Sequence, residues 1–399
     1  MTTPTTTKPS TPVTPYAWVI LVVVYLASIA APLNQLKVPP IMPVLMDALH
    51  LDLTRAGLLM STVAVVGVIL ALPAGILVQR YGSRLIGVIA LGCIAAGSAM
   101  GALSNSYGAL LGSRVVEGIG ISLIGVVAPA TIALWFPPAR QGAPMGIWST
   151  WFPVGSVLMY LLAPILVDAF GWQAVWWVGA GFALIIMLVY GLLVRNPGSH
   201  PSTKSSENVS LDFRKALANR DIWLLGLAFT CFNLVMLAIN TYYPTFLNEE
   251  RGYPLGQAAF ISSLGSLIII GSAPLAGWIS DRIGSRRLVF SLPFLALAIL
   301  ILLPFRVSGW HIPALIVIQA MIIGAIPTAT FAAAPEIMHK TEWAGLGLAV
   351  ILLGQYLGSL IGPVLFGGLV SNLGWVMAGN LMVPVCLLGF ASAWMVRIR

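Results

Sequence analysis

Twelve long apolar segments recur along this chain, and they restrict its fold more than any other feature. A bilayer core about 30 Å thick requires ~20 apolar residues for each helical crossing. We therefore predict an all-α polytopic membrane protein with twelve transmembrane helices. The predicted helices cover 16–38, 55–79, 85–104, 107–134, 142–167, 174–194, 222–247, 256–280, 288–305, 310–334, 343–370 and 374–396.

The composition indicates that lipid is the main solvent of the folded chain. Only 8% of the 399 residues are charged and 59% are hydrophobic, whereas a soluble domain carries about 25% charged residues. The formal net charge is +8, but the basic residues form no continuous patch, so no nucleic acid partner is predicted. The three cysteines lie far apart in apolar segments. This spacing predicts no disulfide framework, no metal site and no cofactor.

The placement of charge predicts how the chain crosses the membrane. Cytoplasmic loops carry an excess of Lys and Arg. With both termini in the cytoplasm, only five of the twenty basic residues fall outside cytoplasmic segments: Lys37, Arg55, Arg114, Arg251 and Arg306. We predict a multi-pass protein of the cell (inner or plasma) membrane with a disordered cytoplasmic tail at 1–15. Two six-helix bundles at 16–194 and 221–399 are joined by a cytoplasmic linker at 195–220.

Internal repeats indicate that the two bundles are copies of one plan. The loop GILVQRYGSR (75–84) follows the second segment, and GWISDRIGSR (277–286) follows the eighth. A Gly and a Pro in the fifth segment recur at the same spacing in the eleventh, as Gly155/Pro164 and Gly354/Pro363. These correspondences occur in the same order in both halves, which predicts an internal duplication.

The doubled loop resembles the G-x-L-x-D-R-x-G-x-R/K signature of the major facilitator superfamily. SRVVEGIG (113–120) resembles the second motif of that family. The resemblance implies a transporter rather than an enzyme. It also implies two six-helix bundles, related by a pseudo-twofold axis, which rock around a central site. The segment N-x-L-K-V-P-P, which contains Lys37, also resembles the cyanate and nitroimidazole permease branch.

The signature loops predict a gating latch at the cytoplasmic face. Their glycines allow close helix approach or tight turns, and their charges grip a helix of the other bundle. Gln79 stands where the first copy normally has Asp, which predicts a weaker first latch. Turn formation and positive-inside anchoring are the alternative account of these residues. The predicted latch consists of Gly75, Arg80, Gly82, Gly277, Asp281, Arg282 and Gly284.

Ionisable side chains within the bilayer are functional candidates, because burying a charge there is costly. Arg114 and Glu117 are three residues apart on one helix face. They form either a structural ion pair or a coupling site in which Glu117 carries a proton and Arg114 tunes its affinity. The family resemblance favours a functional Arg114. Lys37 either snorkels to the outer headgroups or offers a cation to an anionic substrate.

Polar and aromatic side chains in other segments complete a candidate substrate site. In the resembled family, helices 1, 4, 7 and 10 line the central cavity. Residues of these types also form helix–helix contacts or an interfacial aromatic belt, and both alternatives stay open. The predicted substrate-binding residues are Asn34, Lys37, Arg114, Trp151, Asn240, Tyr243, Gln319 and Gln355.

Together these features predict a secondary active transporter that works by alternating access. The favoured activity is proton-coupled uptake of a small organic anion by a monomer. Efflux of drugs or metabolites by proton antiport is the alternative, and a non-transporting membrane sensor is a more distant one. No GxxxxGK[ST] loop occurs in the sequence, so no ATP-hydrolysing site is predicted.

Overall fold

The computed structural model describes most of the chain as helices. All regular secondary structure in the described part is helical. The predicted tail and most of the predicted linker lie outside the described residues. The description covers 14–71, 73–137, 140–195, 218–283, 286–338 and 344–397, without the side chains of 273, 276–281, 283, 286, 335 and 344.

The first six predicted spans, numbered 1 to 6, are each one helix or two helices in line. Span 2 is divided before Pro73, where the missing backbone N–H interrupts the helical hydrogen bonds. A 3-10 turn at Pro39–Ile41 and a short helix at Met42–Leu49 follow span 1. The spans are Pro15–Gln35, Leu53–Leu70 with Pro73–Tyr81, Ser83–Ala102, Tyr107–Trp135, Gly142–Trp148 with Trp151–Phe170, and Gln173–Leu193.

The second six spans, numbered 7 to 12, repeat this arrangement. They comprise Arg220–Glu249, Leu255–Ile283, Arg286–Leu300, His311–Ile323 with Ala325–Ile337, Ala344–Asn380 and Val383–Met395. The helix Ala344–Asn380 is kinked at Gly374, so span 11 ends there and residues 375–380 lead into span 12. Across the described residues, 10 helices are long and apolar enough to cross a membrane, and two shorter apolar helices complete the set. The prediction of twelve helices is confirmed.

The ends of both six-helix sets lie on one face of the molecule. In the first set, the Tyr16 hydroxyl donates to the Leu193 carbonyl at 2.6 Å, which joins its first and last helices. In the second set, the Arg397 amide lies 3.4 Å from an Asp221 carboxylate oxygen. We call this side the terminal face and the other side the opposite face.

Equivalent turns mark the same place in each half. Gly171 precedes Trp172 with φ of +82°, and Gly374 precedes Trp375 with φ of +78°. Glycine adopts this left-handed conformation without the steric cost that a Cβ adds. The shared backbone conformation supports the internal duplication.

Close packing of spans 7 and 11 depends on a glycine stripe in span 11. Gly354, Gly358 and Gly362 recur every fourth residue and therefore share a helix face. A Cβ added at Gly358 would lie 2.8 Å from the Leu234 amide nitrogen and still closer to the Thr230 carbonyl. Small residues let membrane helices approach closely in this way, so the stripe fixes the core of the second bundle.

The two bundles meet near the opposite face through a contact that we call the Tyr242 crossing, formed by Leu53, Gly57, Tyr242, Pro363 and Gly367. The Tyr242 hydroxyl in span 7 lies 2.6 Å from the Leu53 carbonyl and 2.9 Å from the Pro363 carbonyl. Since a phenol has one proton, it is shared between span 2 and span 11. The crossing therefore links the first bundle to two helices of the second.

Candidate functional site

The end of span 1 turns Lys37 into the first bundle. The helix ends at Gln35, and Val38 precedes two prolines. Pro39 and Pro40 lack the N–H groups that would continue the helical hydrogen bonds to the carbonyls of Gln35 and Leu36, so the helix does not continue through this segment. The Lys37 side chain is 0% exposed.

The Lys37 amine is held by three acceptors. It donates to Glu117 Oε1 at 2.6 Å, to Ser98 Oγ at 2.7 Å and to Asn34 Oδ1 at 3.1 Å. An ammonium has three protons, so each of them has a partner. Of the two alternatives for Lys37, snorkelling to the headgroups is wrong, because the turn after span 1 directs the amine to an internal carboxylate.

Arg114 in span 4 caps the end of span 1. Its guanidinium donates to the Asn34 and Gln35 carbonyls, each at 2.8 Å. The last carbonyls of a helix have no intrahelical partner, and a cation there is also stabilised by the helix dipole. Arg114 Nε donates to the Leu59 carbonyl of span 2 at 3.1 Å. Arg114 therefore joins three helices.

Glu117 lies between the two cations. One carboxylate oxygen accepts from Lys37 and the other from Arg114. Gly97 of span 3 makes room for this part of span 4, since a Cβ there would lie 2.6 Å from the Glu117 amide nitrogen. We call Lys37, Arg114 and Glu117 the charged cluster.

The charged cluster has an unbalanced charge. Its three side chains are 0% exposed, and it holds two cations and one carboxylate. In the described part of the chain no other carboxylate pairs with either cation. An uncompensated buried charge costs several kcal/mol. The ion pair anticipated from the sequence is thus part of a triad that lacks one negative charge.

Two members of the site were not found from the sequence. Ser98 donates to the Trp176 carbonyl at 2.7 Å, which leaves its oxygen to accept from Lys37. The Lys37 nitrogen lies 4.8 Å from the centre of the Trp176 ring, a cation–π distance. A serine in an apolar span is the one available signal, and it does not identify a partner.

Replacing Arg114 with Lys is expected to lower stability by about 2–4 kcal/mol. Lysine retains the charge but cannot reproduce the fork that serves three carbonyls, and each buried acceptor without a partner costs about 1–3 kcal/mol. Thermal unfolding in detergent measures the loss. The matched control is Arg84→Lys, because Arg84 donates twice to the Gly191 carbonyl but is exposed. Equal effects at the two positions would contradict the capping role.

Trp151 lies at the contact between spans 1 and 5. It stacks on Trp148 with ring centroids 6.0 Å apart. The Trp148 indole donates to Ser28 Oγ at 2.9 Å, which fixes the pair against span 1. Trp151 is half-buried, so part of its ring remains free for other contacts.

The predicted site residues of the second half lie apart from the charged cluster, whose hydrogen bonds reach none of them. The Tyr243 hydroxyl donates to the Pro304 carbonyl at 3.3 Å, and the Gln319 amide donates to the Leu300 carbonyl at 3.1 Å. The Gln319 bond joins spans 9 and 10, and the Tyr243 bond joins span 7 to the turn after span 9, so both are contacts within the bundle, which is the alternative given for these residues. Asn240 is exposed and Gln355 is half-buried.

The structure describes only part of the predicted latch. Gly82 has φ of +82°, which suits a turn before span 3. The close helix approach predicted at Gly75 is wrong for this structure, because a Cβ there would meet nothing within 4 Å. Arg80 and Arg282 are exposed. The remaining latch positions lie outside the described residues or side chains: Gly277, Asp281 and Gly284.

Twelve apolar helices in two sets of six across the described residues, with a charged cluster shielded inside the first set, define a multi-pass membrane protein built from two bundles. The sequence pattern of the Major Facilitator Superfamily matches residues 18–342. The chain belongs to the Major Facilitator Superfamily, as its signature loops predicted. Proteins of this family are transporters and not enzymes, and that prediction is also confirmed.

Relatives and solved structures agree with this assignment. The chain is 22% identical to a hexuronate transporter of Bacillus subtilis, over 95% of this chain and 93% of that one. It is 21% identical to a probable sulfoacetate transporter of Cupriavidus necator, over 89% and 87%. A bacterial homolog of the human lysosomal transporter Spinster, solved in an inward-facing and unoccupied conformation, superposes with a TM-score of 0.76. It shares 17% identity, with 96% of this chain and 93% of that one covered, and so supports the fold alone.

Proposed function

We propose that this protein is a secondary active transporter that takes up a small organic anion together with a proton by alternating access. The observation that carries the proposal is the charged cluster, in which two buried cations share one carboxylate. An anion bound beside Lys37 supplies the missing negative charge. Binding is then favoured over that of a neutral or cationic solute.

The relatives support an acidic substrate. A hexuronate carries a carboxylate, and sulfoacetate carries a carboxylate and a sulfonate, so both relatives are named for transport of organic anions. Lysine and arginine are the side chains that recognise such groups. For the present chain we propose this class of substrate without naming a particular compound.

We propose that the protein lies in the inner or plasma membrane of the cell, with both termini in the cytoplasm. The opposite face is then the outside, and the Tyr242 crossing closes it. Opening this crossing separates span 2 from span 11 and gives the end of span 1 access to external solute. The second bundle contributes the facing wall of the cavity, with Asn240 and Gln355 as its polar candidates. We propose that the protein works as a monomer and that the loop latch closes the cytoplasmic side.

A ligand screen followed by a flux measurement tests this function. The melting temperature of the purified protein is measured with small organic anions or with lipophilic cations. Compounds that raise it are then tested for transport in proteoliposomes. Glucuronate and sulfoacetate are the first anions. We expect anions to raise the melting temperature and to accumulate when the lumen is alkaline. Stabilisation by anions without any flux would contradict transport and favour the sensor alternative.

Efflux by proton antiport is the second candidate, and the Trp148–Trp151 stack favours it. Two stacked indole rings suit a flat, apolar solute. In the same screen, stabilisation by lipophilic cations and not by anions would select efflux. Counter-movement of protons, measured with a dye inside the vesicles, would then show acid leaving as the solute enters.

A further inference from the structure

We infer that Lys37, rather than Glu117, carries the coupled proton. The inference rests on the proposed function and names the group that loads and releases the proton. It differs from the assignment made from the sequence, which gave this role to Glu117.

The contacts within the charged cluster leave Lys37 as the group that can remove its excess charge. The Arg114 guanidinium does not deprotonate in proteins. Protonating Glu117 would leave a neutral acid between two cations and raise the buried charge from +1 to +2. Loss of one proton from Lys37 brings the cluster to zero while Glu117 remains paired with Arg114.

The surroundings of Lys37 permit this change. Span 1 presents the Asn34 amide, span 3 the Ser98 hydroxyl and span 6 the Trp176 ring, and all three are uncharged. Span 4 supplies the charged neighbours, Arg114 and Glu117. A neutral amine has two protons left for three acceptors, so one hydrogen bond is lost. Because the Asn34 and Ser98 acceptors are uncharged, that loss leaves no unpaired ion.

Neutrality of the cluster yields a coupling rule. With Lys37 protonated and a monovalent anion bound, the net charge of the site is zero. With Lys37 deprotonated and the site empty, it is again zero. The half-loaded forms carry a buried charge of +1 or −1, which costs several kcal/mol. We therefore expect the bundles to exchange faces when both or neither of the two ligands are bound, which gives one proton for each anion.

The proton follows a balanced path. An N–H bond forms on the Lys37 amine when a proton arrives from the outer solution. The same bond breaks when the proton leaves to the cytoplasmic water, after the anion has dissociated. No other covalent bond changes, and the cluster returns to the outer side in its neutral form.

The Lys37→Arg variant tests the inference, because it keeps the cation but cannot release its proton. Proteoliposomes receive glucuronate, or another monovalent anion selected by the screen, in two assays: exchange across the membrane at equal pH, and accumulation driven by a pH gradient. The wild type is expected to exchange the anion and to accumulate it about tenfold for each pH unit. Lys37→Arg is expected to exchange it but to reach a ratio of about 1. Lys215→Arg, in the predicted linker, is the matched control and should behave as wild type.

The outcomes separate the two proposals. Failure of the wild type to exchange any of these anions overturns the proposed function and this inference with it. Full accumulation by Lys37→Arg overturns the inference alone and returns the role to Glu117. Accumulation lost together with exchange would make Lys37 a binding residue only, which also overturns it.

A second measurement tests the inference if the Lys37→Arg protein does not fold. Anion binding to detergent-solubilised protein is followed by calorimetry in two buffers of different ionisation enthalpy, which counts the protons taken up. The wild type is expected to take up as much as one proton per anion at alkaline pH. Lys37→Gln is expected to take up none, and uptake unchanged in Lys37→Gln would overturn the inference.

Discussion

Replacing Glu117 with Gln is expected to destabilise the protein by about 3–5 kcal/mol and to abolish transport. The substitution removes the carboxylate shared by Lys37 and Arg114 and leaves two buried cations without a counter-charge. Breaking a buried ion pair by removing one partner has this magnitude, because the partner left behind is neither solvated nor paired. Thermal unfolding in detergent and vesicle uptake measure the two effects.

Two variants show whether this loss comes from charge. Glu250 is exposed and accepts from the Trp375 indole at 3.0 Å, so Glu250→Gln should change the melting temperature little. Combining Glu117→Gln with Lys37→Met leaves one buried cation instead of two, and the double variant should be more stable than Glu117→Gln alone. A Glu117→Gln protein as stable as wild type would show that the cluster is not sealed from water.

Replacing Gly57 with Ala is expected to prevent closure of the opposite face. A Cβ at this position would lie 2.7 Å from the Pro363 carbonyl and closer still to the Tyr242 hydroxyl. Overpacking of this kind costs about 1–3 kcal/mol, which lowers the equilibrium constant for closing about 5- to 150-fold. Spin-label distances between spans 2 and 11 at the opposite face should lengthen, and net uptake should fall in proportion.

Gly125→Ala is the matched control for Gly57→Ala. Gly125 is also a helical glycine, in span 4, but a Cβ there would meet nothing within 4 Å. It should leave both the distances and the uptake as in wild type. Unchanged distances in Gly57→Ala would show that the Tyr242 crossing is not the contact that closes this face.

The fold could be predicted from the sequence because a segment that crosses lipid must satisfy its backbone hydrogen bonds internally, which favours a helix. Each apolar segment long enough to cross the membrane became a helix or a pair of helices, and the repeated Gly-Trp turns at Gly171 and Gly374 adopt one backbone conformation. The glycine stripe of span 11 was not predicted, although its four-residue spacing is visible in the sequence. Such a stripe specifies close approach but not which helix approaches.

The candidate site was predictable in part. Arg114 and Glu117 are three residues apart on one helix, so their pairing follows from helical geometry. The contact of Lys37 with Glu117 joins positions 80 residues apart and depends on the path of the chain after Gln35. Apolar segments give no signal for that path, and the same is true of Ser98 and Trp176.

The Arg114 cap has a consequence for how the molecule moves. A guanidinium that fastens the last turn of span 1 to the backbone of span 2 makes these helices and span 4 a single stiff block. Probes placed on any two of the three should keep a constant separation through the whole transport cycle. The second half joins helix ends through exposed arginines instead, as Arg306 does with Asn380, so we expect the flexing to take place there.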